Sequence, residues 1–155
     1  MSEQPDFDHA AAHRYFAAEC YNRAWGLMDK PDRTSEEDEQ MLLLSLASHW
    51  HWTQRSDYAA ENAAIAYWQT ARIYTLLGQV DNARRHGQLC LDVSRADDVP
   101  LFCLGYAYES LARAELLAGN QTQMRAYLQE ARHVAERMSD LEAKQMLLAD
   151  LETIK

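Results

Sequence analysis

The residues best equipped for chemistry cluster in the first third of the chain. His9 and His13 stand four apart, a spacing that places two imidazoles on one face of a helix, where they could share a metal ion. Two ligands do not make a site, and a third, Glu19 or His51, would have to be delivered by folding. His49 and His51 project about 200° apart on a helix, so that pair cannot grip one ion. The run His49-Trp50-His51-Trp52 reads first as packing at the edge of a core. As a site, His9, His13, His49 and His51 with their tryptophans would suit a metal, or a small cationic or aromatic ligand beside a titratable histidine.

Nucleophilic chemistry finds no support. No strand-turn-helix serine and no glycine loop for phosphate occurs. Cys20, Cys90 and Cys103 are odd in number and form no CxxC pair. Cys90 and Cys103 lie in apolar helical stretches, where a thiol is an inert core group. The expectation is a non-enzymatic protein that needs no cofactor and holds no metal, in a reducing cytoplasm.

Helices must position these residues. Apolar content of 48% with only five Gly and three Pro leaves few breakers for a β fold, and 155 residues suffice for one domain with a real core. Apolar recurrence and caps predict about seven helices. The first spans about Asp8 to Met28 and stops before Pro31. Thr34 and Glu37 have capping-box spacing, which starts the second helix near Ser35 with acidic residues favoured in its first turn. That helix, from Met41 to Trp52, is apolar on so many sides that it should be enclosed by neighbours. Ser56-Asp57 should open a third helix, closed at Gly78. A fourth runs from about Val80 to Arg95, a fifth from Phe102 to Ala118 before Gly119, and a sixth from Gln121 to Met138. Ser139 and Glu142 repeat the capping-box spacing, and Leu141, Gln145, Leu148 and Leu151 should line one face of a seventh.

The chain also repeats itself. Leu76-Leu77-Gly78 and Leu117-Ala118-Gly119 end two helices 41 residues apart (119 minus 78). Around each glycine the pattern resembles the tetratricopeptide repeat, whose usual period is about 34 residues. Tyr67, Ala71, Tyr74, Gly78 and Ala83 fill its large, small, aromatic, turn and small positions. Tyr108, Leu111, Ala112, Gly119, Leu128 and Ala131 do so again. Gly87, Glu115 and Met124 depart from the pattern. The likeness covers about residues 64 to 135, in two degenerate units, and the whole chain is similar to small bacterial proteins of this TPR-like kind.

The resemblance implies an all-α, right-handed array of antiparallel helix hairpins, a TPR-like superhelix. It would comprise a divergent hairpin at 8–55, hairpins at 57–95 and 99–137, and a capping helix at 139–153, all within one domain. It further implies a concave groove lined by Ile65, Trp68, Arg72 and Leu76, then Tyr106, Glu109, Arg113 and Leu116. Such a face suits a protein or peptide partner, with Trp and Arg as anchors. Chaperone-binding members of the family hold a terminal carboxylate with a Lys and an Asn, and Trp68 with Arg72 and Glu109 with Arg113 stand there instead.

Charge narrows the partners. Asp and Glu outnumber Lys and Arg 24 to 15, for a net charge of −9 that repels nucleic acid and anionic lipid. No apolar run, Met41 to Leu44 included, approaches the ~20 residues that span a bilayer, so a membrane role is not expected. The polar, acidic start from Met1 to Asp6 lacks the pattern of a secretory signal. A homodimer through exposed helix surface is compatible with all of this.

Overall fold

The computed structural model describes residues 6–155, so the start of the chain from Met1 to Pro5 lies outside the described residues. Among the described residues every regular element is a helix: α1 His9–Met28, α2 Ser35–Thr53, α3 Ala60–Leu76, α4 Val80–Ser94, α5 Leu101–Ala118, α6 Gln121–Glu136 and α7 Leu141–Leu151. None is long and apolar enough to cross a membrane. Packing divides the chain into two compact units, one ending at Tyr58 and one beginning at Ala59.

The first unit is the antiparallel pair α1 and α2. Thr34 and Glu37 form the expected capping box, the Glu37 amide donating to the Thr34 hydroxyl at 3.2 Å and the Thr34 amide to the Glu37 carboxylate at 2.9 Å. Arg33 closes the connection, its Nε donating to Asp38 at 2.7 Å and its Nη1 to the Lys30 carbonyl at 2.8 Å. The buried faces are mostly small, with one large filler: Ala17, Cys20 and Ala24 of α1, and Ser45, Ser48 and the fully buried Met41 of α2. Small side chains let the axes approach, and the Ser48 hydroxyl then reaches the Ala17 carbonyl at 2.7 Å.

Enclosure of α2 does not occur. Leu43, Leu46 and Trp50 are 65%, 41% and 56% exposed. Their spacing puts all three on the side of α2 opposite Met41, Ser45 and Ser48, and α1 covers only the latter.

The second unit packs α3 on α4 and α5 on α6, with α5 also against α3, α4 and α7. Both predicted glycine turns are present: Gly78 has φ 72° and Gly119 φ 75°. After each, an amide reaches back five residues, Gln79 to the Tyr74 carbonyl and Asn120 to the Glu115 carbonyl, both at 2.9 Å. These are repeated Schellman closures, for which glycine carries no Cβ penalty.

Two predicted helix starts shift. Asp57 does not open α3, because its carboxylate is held by Arg55 at 2.6 and 2.8 Å. The helix begins at Ala60 instead, with the Asn62 side chain accepting from the Ala59 amide at 3.0 Å. At α7 the cap is Asp140 and not Ser139, its carboxylate accepting from the Ala143 amide at 3.1 Å. The buried face of α7 is correspondingly Leu147 and Leu151, while Leu141 and Gln145 are exposed. Leu147 is drawn in by Gly105 of α5, where a Cβ would come within 2.5 Å of the leucine methyl.

The three departures from the repeat pattern have local partners. Gly87 of α4 makes room for Leu111 of α5, whose Cδ2 lies 2.8 Å from where a Cβ would stand. Glu115 accepts a two-pronged bond from Arg84 of α4, at 2.7 and 2.9 Å. Met124 is buried in the C-terminal cluster with Tyr106, Leu128, Leu147 and Leu151.

Candidate functional site

Three of the eight expected groove residues, Trp68, Arg72 and Arg113, converge on a fourth, Glu109. This side chain is 1% exposed, which makes an ionised carboxylate tolerable only if it is well bonded. The Trp68 indole N–H donates to its Oε2 at 2.9 Å. Arg113, one turn along α5, donates from Nε to its Oε1, and Arg72 of α3 places its Nε 3.8 Å from the same oxygen. Tyr106 packs edge-on against Trp68, with ring centroids 5.6 Å apart. Ile65 is half-buried and packs against the cluster around Cys90, Leu91 and Leu111.

Helix α7 and the residues after it close this face. Tyr106 donates its hydroxyl to Asp150 at 2.5 Å, and Arg113 Nη2 donates to the Asp150 carbonyl at 3.2 Å and the Thr153 hydroxyl at 2.8 Å. Burial holds the Arg72 guanidinium below its usual range, against the pull of Glu109. Burial first, and the bond to Asp150 second, push the Tyr106 phenol far above its usual value. Asp150 and Thr153 were not legible as members of this network. Both are ordinary polar residues at a helix end, and only packing of α7 on α5 brings them in.

The network therefore spends its polar groups internally. Two arginines, two carboxylates, an indole and a phenol pin α3, α5 and α7 together. Trp68 additionally touches the buried clusters on both sides of it. Chemically this is a clamp inside the unit.

The histidines separate into different settings. His9 is exposed and stands against the ring of Phe7, centroids 5.5 Å apart. His49 has its Nε2 3.0 Å from the Tyr58 hydroxyl. His13 and His51 come together across α1 and α2, their Nδ1 atoms 2.8 Å apart. The i,i+4 pairing of His9 with His13 thus gives way to a contact between helices, because the antiparallel packing sets His13 opposite His51. Burial, and the charge on His13, hold the His51 imidazole below its ordinary value of 6.5.

Rings surround this pair. His13 is 5.4 Å from Trp50, His51 is 5.0 Å from Trp50 and 5.5 Å from Phe16, and Phe16 is 5.1 Å from Tyr15. Tyr15 and Phe16 are 61% and 43% exposed, so with Trp50 they form an aromatic surface with two imidazoles at its centre. Large apolar residues held in water in this concentration mark an interaction surface more often than a packing defect. Sequence reasoning singled out the His-Trp run but not Tyr15 and Phe16, whose polar-side position becomes visible only once α1 has a partner.

Among the described residues no group of three or more His, Cys, Asp or Glu converges as a metal site. The cysteines are buried: the Cys90 thiol is pushed up to about 12 and that of Cys103 to about 11, chiefly by burial, which suppresses the thiolate. Comparison with known proteins adds no relative: no family model, no curated protein and no solved structure matches this chain.

Proposed function

We propose that this chain is a non-enzymatic protein-binding module of TPR-like build, and that its contact face is the aromatic surface of the N-terminal hairpin. The observation that carries the reading is the exposure of Tyr15, Phe16 and Trp50 as neighbours, continued along α2 by Leu46 and Leu43. Aromatic anchors of this type supply most of the energy in protein interfaces. The partner best matched to it is a protein or peptide segment offering its own apolar side chains, such as an amphipathic helix. A net charge of −9 favours a partner that is not acidic.

The concave stripe is the weaker face. Trp68, Arg72 and Arg113 are anchor types, yet their polar groups are engaged with Glu109, Asp150 and Thr153, so a ligand would have to break those bonds to use them. The TPR-like build rests on the two matching glycine closures and on the pairing of α3 with α4 and α5 with α6. Three buried free thiols suit a reducing compartment such as the cytoplasm.

Affinity capture with three forms of the protein tests the reading: wild type, a Tyr15→Ala, Phe16→Ala, Trp50→Ala variant, and a Trp68→Ala, Arg72→Ala, Arg113→Ala variant. Partners retained by wild type should be lost from the first variant. Loss confined to the second would return the binding face to the stripe. Light scattering of the wild type over a range of concentrations identifies a second copy as the partner if mass rises toward the dimer value.

A further inference from the structure

The imidazoles of His13 and His51 meet nitrogen to nitrogen at 2.8 Å across the α1–α2 interface. A bond of that kind requires one Nδ1–H and one Nδ1 lone pair. It can form when both rings are neutral, and it survives when one ring is charged, since the charged ring donates and the neutral ring accepts. It cannot survive a second charge, because the acceptor lone pair is then protonated and two like charges face each other at contact distance.

We propose that this pair is an acid-opened latch on the aromatic face: closed while at least one imidazole is neutral, and opened when both are charged. Phe16 packs against His51, and Trp50 against both histidines, so separation of the imidazoles dismantles the surface itself. The proposal rests on the reading of that surface as the contact face.

Among the described residues no carboxylate pairs with either imidazole to take up the second charge. On α1, His9 lies one turn before His13 and Arg14 beside it; just past the end of α2, Arg55 lies four residues after His51 and is already ion-paired with Asp57. Of the nearby carboxylates, Asp57 is engaged by Arg55 and Asp8 by the Ala11 amide at 2.9 Å. Burial and the His13 charge both oppose charging of His51, consistent with its depressed value. The sign follows: His51 is harder to charge in the fold than in the unfolded chain, whose ordinary value is 6.5. The stability contributed by the closed pair is complete above that value and is lost as pH falls through the lower folded one.

Imidazole nitrogen NMR on the full chain, titrated from pH 8 to 5, reads the latch without any partner. The expected result is two coupled steps separated by one pH unit or more, each visible at both rings. Trp50 emission should change over the lower step, with a Trp50→Phe variant identifying that signal. In a His13→Leu variant, verified as helical by circular dichroism at pH 7.5, His51 should titrate in a single step. If that variant fails to fold, His51→Leu, read at His13, provides the same comparison. Independent single-step curves at both rings in wild type, or a flat Trp50 signal through the lower step, overturn the latch. Capture at pH 7.5 and pH 5 separates this from the wider reading. Capture retained by the Tyr15, Phe16, Trp50 variant overturns the contact face, whereas capture that needs those residues yet ignores the lower step overturns the latch.

Discussion

The Trp68 indole and the Glu109 carboxylate are joined at 2.9 Å across α3 and α5, and the same carboxylate also holds Arg113 and attracts Arg72. One buried acid thus organises three partners from two helices. The consequence is an asymmetry between removing the acid and removing any one of its partners.

Glu109→Ala should be severely destabilising, by about 3–5 kcal/mol, because it leaves Arg72 and Arg113 in the unit without their shared counter-charge. Trp68→Phe, which keeps the aromatic bulk and deletes only the N–H, should cost about 1–3 kcal/mol. Chemical denaturation followed by circular dichroism measures both. Near-equal losses would show that Glu109 is not the organiser of the cluster.

Gly87 and Leu111 form a small-for-large exchange across α4 and α5. Gly87→Ala should destabilise by about 1–3 kcal/mol through overpacking, and Leu111→Ala by about 2–5 kcal/mol through a cavity. The double variant should be more stable than the two losses added together predict, since the new methyl enters space the leucine vacated. A double-mutant cycle by urea denaturation reads the coupling, and strict additivity would refute direct compensation.

Arg84 and Glu115 predict an acid dependence of the second unit. The Arg84 bond holds the Glu115 carboxyl below its ordinary value of 4.5. Its folded value being the lower one, the stability it contributes is present above 4.5 and lost as pH falls through that folded value. Glu115→Gln should therefore flatten the acid limb of a stability-versus-pH curve and leave the shape near neutrality unaltered. Thermal melts from pH 7 to 3 make the comparison, and parallel acid limbs in variant and wild type would exclude the pair as a source.

Much of the helical framework was legible because its signals are local. The Thr34–Glu37 box and the turns at Gly78 and Gly119 depend on residues within five positions of one another, and backbone sterics enforce them wherever the chain goes. The starts of α3 and α7 were not legible in the same way. At α3 Arg55 diverted the Asp57 carboxylate, and at α7 Ser139 and Asp140 were rival caps of which Asp140 took the amide. Periodicity placed Leu148 and Leu151 of α7 inward but missed Leu147, which answers to a vacancy at Gly105, more than forty positions away.

The candidate sites divide along the same line. Helical spacing alone put Trp68 with Arg72 and Glu109 with Arg113, since a turn of helix is a local property. Only tertiary packing decided that Asp150 and Thr153 would seal that stripe, that His13 would meet His51 in place of His9, and that α2 would leave Leu43 and Trp50 in water. The sequence by itself determined where the helices run and which side chains share a face. What each face meets depends on a partner surface contributed by remote residues, and no local pattern carries that information.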